Sequence, residues 1–496
     1  MNEFLMKFDD SLNAILVKDL RQIVRGKFIW SVLLLYLTII VLILFFSLID
    51  ADASGSIDGE FISVAMLGFL FFVCALLIPI QIGKKTGDEI NDATHELLFT
   101  TTMKPSSIVK GKLLGGVVTI VMMYATLAPF LMLTLFMGGV DLRNLTLGLI
   151  YSFIVSNICV LFQVHVGMSY RNLIGTSGFG NKAGSIIFQI IAWFWLAGLG
   201  AEILNGRFFK YNKSWEVWLV IFYFCAIVIF ISLILFVLTV SRLEAESSNR
   251  SYMFKGVATG LWIIGSFLTV FSETAAQAWC FIVFIALIVL SVILLLDPES
   301  YSERVIKEIP ENPVVRFFNF PFFTGMANSL CWIFCFAILN YIYGFFVTVA
   351  MGSSYSYSDF TSSLTAMSSV LAYVIAYFLL SNSIRKLFFG NENKGVVIGI
   401  FVFVILVAII LPIFVSNLVP YGLRDIVYII SPFAAFINYR REISISVIVS
   451  FIFLLITLAF NSFSLVAQIS SYFSKKADYN NKPYNKADVY KDFDIN

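Results

Sequence analysis

Apolar runs long enough to cross a bilayer decide what this chain can fold into. They recur near residues 28–49, 61–82, 113–138, 145–168, 184–204, 217–240, 256–272, 276–296, 324–350, 360–381, 395–418 and 443–467, bounded by charges or by Gly, Pro and Asn. A helix crosses hydrocarbon with about 20 such residues, and only helices or closed barrels satisfy their backbone groups there. The pattern predicts an all-α, polytopic integral membrane bundle of about twelve transmembrane helices. With 59% of its 496 residues apolar and 13% charged, the chain has no water-soluble alternative. Only Ser272, Glu273 and Thr274 separate the runs on either side of them, so those two helices must form a tight hairpin.

The scarce charge is informative by position. Lys and Arg resist translocation. With the N-terminus inside, about 26 of the 33 basic residues fall in cytoplasmic loops and about 7 outside, which supports twelve spans and two cytoplasmic termini. Net charge is +2, which leaves no large basic face for nucleic acid. Met1 to Lys27 is too long and too acidic for a secretory leader, so the segment Ala51-Asp52-Ala53 is not expected to be cleaved. Cys74, Cys159, Cys225, Cys280, Cys331 and Cys335 all fall within spans, where they act as small apolar packers.

Residues 1–27 precede the first span. Within them Leu12, Ile15, Leu16, Leu20, Ile23 and Val24 recur at helical spacing, with Lys18, Asp19, Arg21, Gln22 and Arg25 opposite. This predicts an interfacial helix with its stripe toward lipid and its charges on the wet side. A plain topological anchor would carry the same pattern. The loop 83–112 reads GKKTGDEINDATHELLFTTTMKPSSIVKGK. Asp92 or Thr94 can cap a short helix carrying His95, Glu96, Leu97 and Leu98, and Pro105 stops it. The expected product is a short cytoplasmic helix with apolar side chains that a soluble partner can grip.

Spans 1–6 (28–240) and 7–12 (241–472) would each begin and end inside, so two degenerate six-helix halves are geometrically allowed, although no sequence repeat is evident. The second long loop, Asp297 to Phe322, holds prolines at 310, 313 and 321 and a run of phenylalanines. Phe317, Phe318, Phe320, Phe322 and Phe323 would sit at the headgroup boundary. The apolar outer connection 419–441 is expected to lie flat or dip into the membrane, and the polar tail 473–496 to stay disordered or partner-bound.

Missing chemistry narrows the function. Two histidines, His95 and His165, assemble no triad or metal site. Gly83-Lys84-Lys85-Thr86 lacks the first Gly and adjacent hydroxyl of a phosphate-binding loop. The intramembrane polar residues Asn157, Gln163, His165, Gln189 and Asn340 suit interhelical hydrogen bonds better than ion coupling. The expected driver is therefore another polypeptide.

The first half resembles the permease subunit of type-2 ABC exporters. Their loop carries a Glu, a Thr, a Leu-Leu pair, a Pro, an Ile or Val and a Gly-Lys. Glu89, Thr94, Leu97, Leu98, Pro105, Ile108, Gly111 and Lys112 are similar to that pattern. The resemblance implies an elbow helix with Lys18, Asp19, Arg21 and Arg25 on its wet side. It also implies an ATPase-coupling segment formed by Glu89, Thr94, Glu96, Leu97, Leu98 and Pro105. The segment around Ser431, Pro432 and Phe433 resembles the re-entrant element of the same exporters. The implied partner is a cytoplasmic ABC ATPase that holds ATP and Mg, while this chain binds no cofactor and is no enzyme. A second permease chain is left open, and the membrane would be a plasma or bacterial inner membrane. An ion-driven secondary transporter and a non-transporting membrane scaffold are the alternative readings.

Overall fold

The structure, a computed structural model, describes residues 14–54, 59–91, 104–137, 141–173, 189–190, 192–194, 196–201, 214–244, 248–351, 354–388, 394–416 and 443–474. Those residues are 93% helical, with no strand among them. Nine of the described helices are long and apolar enough to cross a membrane. The chain is a polytopic helical membrane protein. Many of its described Ser and Thr hydroxyls donate to the carbonyl three or four residues earlier, as in Thr38 to Leu34 and Ser156 to Ser152, which satisfies those donors where water is absent.

The chain divides into two units, Met1–Leu243 and Glu244–Asn496. The first contains α1 (Ala14–Arg25), α2 (Lys27–Ser54), α3 (Gly59–Phe72), a π turn (Val73–Leu77), α4 (Ile78–Asn91), α5 (Pro105–Met137), α6 (Leu142–Leu173) and α7 (Ser214–Leu243). α3, the π turn and α4 run on as one span. The second unit contains α8 (Arg250–Thr269), α9 (Glu273–Leu294), α10 (Glu303–Glu308), α11 (Pro313–Asn319), a 3-10 turn (Phe320–Phe322), α12 (Met326–Met351), α13 (Ser354–Phe388), α14 (Lys394–Ser416) and α15 (Ile443–Ser474).

Three expected spans fall outside the nine. The run at 184–204 is described only in part. α14 carries Pro412, and its apolar stretch Val396–Pro412 is short. α8 is a regular 20-residue helix whose Arg250, Lys255, Ser, Thr and Gly residues dilute its apolar character. The segments 419–441 and 475–496 lie outside the described residues.

Glycine sets the closest helix contact of the first unit. A Cβ on Gly167 of α6 would come 2.6 Å from the Gly83 carbonyl oxygen of α4, and one on Gly83 would come 2.8 Å from the Gln163 carbonyl oxygen. Backbone meets backbone there, the arrangement that small residues permit where lipid offers no hydrophobic drive between helices. In the second unit the expected hairpin forms. α8 ends at Thr269, Ser272 precedes α9 in extended conformation, and Trp279 fills the space above Gly265 while donating to the Ser266 hydroxyl at 3.2 Å.

In the first unit, α6 packs on α4, α5 and α7; in the second, α13 packs on α9, α12, α14 and α15. Much of the outward surface is apolar, for example Phe136, Leu455 and Phe463, as a lipid-facing surface should be.

Gly167→Ala pushes a side chain into a backbone oxygen and should lower stability by about 1–3 kcal/mol. Gly68→Ala, with nothing within 4 Å of the added carbon, is the control. Equal thermal-unfolding midpoints of the two variants in detergent would contradict the close α4–α6 approach.

Candidate functional site

The most polar buried junction of the first unit lies where α1 meets the two stems of the loop 83–112. α1 is amphipathic, with Ile15, Leu16 and Ile23 buried and Lys18, Arg21 and Arg25 exposed. Its buried stripe meets protein, not lipid as the periodicity suggested. Ile15 and Ile23 join the same core as Ile108 and Val109 of α5. α1 comes close to α5 here: a Cβ on Gly115 would stand 3.7 Å from that of Asp19, in ordinary contact. Asp19 is likewise not on the wet side, because it turns toward α5 and its cation.

That cation is Lys112, two turns into α5. Its Nζ donates to Glu89 Oε2 at 2.7 Å and lies 3.6 Å from Asp19 Oδ2. Lys18 Nζ lies 3.5 Å from the other Glu89 oxygen. Charges thus alternate Lys18, Glu89, Lys112, Asp19 across three separate pieces of chain. Lys18 is 48% exposed, so its pairing is screened and contributes little. Lys112 is 7% exposed and contacts both carboxylates, so it holds the junction together. Gln22, Gln81, Lys85 and Thr86 line a cleft beside it.

Burial pushes the Asp19 carboxyl above the ordinary carboxylate value, outweighing the attraction of Lys112. One of its oxygens, Oδ1, is buried without a hydrogen-bond partner. The junction therefore favours a proton on Asp19 more than water does.

Pro105 opens α5 as its first residue, and the short helix it is expected to stop lies outside the described residues. The fixed φ of proline suits that position and its missing N–H costs nothing there. Thr94, Glu96, Leu97 and Leu98 lie outside the described residues.

A second feature lies inside the bilayer on the same span as Glu89. At the π turn the Ile78 N–H donates to the Val73 carbonyl, five residues back. The Ala75 carbonyl within that turn accepts from Gln189 Nε2 at 2.7 Å, and the Gln189 side-chain oxygen accepts from Gln163 of α6. His165 Nδ1 faces the Thr239 hydroxyl at 3.1 Å, and Asn340 donates to the Cys280 carbonyl at 3.1 Å while accepting from Trp262 at 3.2 Å. All four bridge helices or helical segments. Asn157 bonds within its own helix, to Phe153. No metal-ligating group of His, Cys, Asp and Glu occurs among the described residues.

Sequence reasoning placed Lys112 in the exporter-like pattern without giving it a role. The signal was a lysine two turns inside an apolar helix, which requires a counter-charge. Comparisons with family models, with curated proteins and with solved structures find no match.

Lys112→Met leaves Asp19 and Glu89 facing each other with only the half-exposed Lys18 beside Glu89 and should cost about 3–5 kcal/mol; an unchanged unfolding midpoint would rule out Lys112 as the cation that latches α1, α4 and α5 together. Asp19→Asn separates the charge from the shape. A raised carboxyl contributes stability that is fully present below its unfolded value and is lost as pH rises through the folded one. The variant should therefore gain on the parent as pH rises across that window, and a pH-independent difference in midpoint would contradict the assignment.

Proposed function

We propose that this chain is the membrane permease subunit of an ATP-driven ABC exporter, worked by a separate cytoplasmic ATPase. The observation that carries the reading is the Lys112 latch. It ties α1, the end of α4 and the start of α5 into one body, and the chain from 92 to 103 leaves and re-enters that body. A partner gripping this loop moves two spans and the amphipathic helix together. A lever needs that stiffness, because a push spent on loose stems would not reach the membrane.

On this reading ATP and Mg stay on the partner, and this chain supplies displacement without catalysing a reaction. Glu96, Leu97 and Leu98 form the gripped surface, while Glu89 and Pro105 set its stems. Both termini and both long loops face the cytoplasm of a plasma or bacterial inner membrane.

Glu96→Lys tests the reading without touching the latch. In the full chain it should weaken co-purification of the ATPase on the order of tenfold, equivalent to about 1.4 kcal/mol, with the unfolding midpoint unchanged. Undiminished association, or substrate movement in proteoliposomes driven by an ion gradient without ATP, would overturn it.

A further inference from the structure

The loop between α9 and α12 divides its phenylalanines between two environments. Phe320 and Phe323 turn inward and pack on Tyr472 of α15 at ring-centroid distances of 5.1 and 5.4 Å. Phe317 and Phe318 of α11 turn outward, 65% and 68% exposed, together with Val314. At 100° per residue, Val314, Phe317 and Phe318 share one face and Arg316 occupies the other.

Arg316 fixes which way that face points. Its guanidinium donates to the carbonyls of Pro310 at 2.9 Å, Phe473 at 2.8 Å and Glu311 at 3.2 Å, and its own carbonyl accepts from the Tyr472 hydroxyl at 3.2 Å. α11 is thereby clamped to the last turn of α15. Asn312 caps its N-terminus with a side-chain bond to the Val314 N–H, and Pro313 opens it.

Depth follows from α15. Its outward side is apolar at Phe460, Phe463, Val466 and Ile469 and still at Phe473, so the lipid-facing side runs up to the turn that Arg316 holds. α11 therefore sits at headgroup level, beside a span that lipid already surrounds.

We propose that α11 is a membrane-surface anchor whose Val314, Phe317 and Phe318 insert at the headgroup–acyl boundary of the bilayer that the spans cross. The flanking charges Glu303, Arg304, Lys307, Glu308 and Glu311 carry no positive excess, so attachment is apolar and needs no anionic lipid. Through Arg316 the anchor holds the end of α15 at a set depth. The proposal does not depend on an ATPase partner.

The test uses the full chain in phosphatidylcholine vesicles, with photoreactive benzoylphenylalanine in place of Phe318 and, separately, of Phe317, Glu308 or Phe463. Illumination should give peptides shifted by the mass of a phospholipid at 317 and 318, as at the lipid-facing 463, with the shift absent at 308 and unaffected by high salt. Aromatic replacement of an exposed aromatic leaves the fold intact, which an unchanged unfolding midpoint checks. Absence of phospholipid adducts at 317 and 318 while 463 gives them would overturn the proposal. So would crosslinking of 318 in cells to a soluble protein in place of lipid.

Discussion

One buried ammonium holds together the business end of the first unit. Lys112 sits two turns into a membrane-spanning helix and is almost wholly buried, and removing it from water is tolerable only because two carboxylates meet it there. Those carboxylates come from α1 and α4, so satisfying one cation brings three pieces of chain together. The amphipathic helix, which periodicity alone would send to the lipid surface, is instead drawn against α5, where Ile15 and Ile23 share a core with Ile108 and Val109.

The same economy governs the bilayer interior. Polar side chains there are few, and nearly all of the described ones spend their hydrogen bonds on a neighbouring helix or on their own carbonyls. Gln163, Gln189 and Ala75 form a chain of amide contacts through the π turn, and Asn340 joins α12 to α8 and α9. Glycine does the complementary work, letting α4 and α6 meet backbone to backbone.

Much of this was legible in the residues themselves. Nine of the twelve expected span positions, the hairpin at Ser272 and the bridging role of Gln163, Gln189 and Asn340 follow from apolar length and from the cost of bare polar groups in lipid. What escaped depends on contacts distant in sequence. Nothing local tells Asp19 that its partner is Lys112, and Val73-Cys74-Ala75-Leu76-Leu77 carries no mark of a π turn. The five phenylalanines of the second loop look alike in sequence, and only the placement of Tyr472 and Arg316 separates the two turned inward from the two turned outward.

The π turn gives the second span an unusual screw phase. Five residues close a ring that four would close in a regular helix, so one residue of slack is stored at Val73–Leu77 and pinned by Gln189. Taking up that slack would rotate everything from Ile78 onward by about 100° and advance it by about 1.5 Å. Glu89 would then swing out of register with Lys112. A five-residue irregularity deep in the bilayer and an ion pair at its edge are therefore settings of the same shaft: the amide bridge inside and the ammonium outside select the same rotational position.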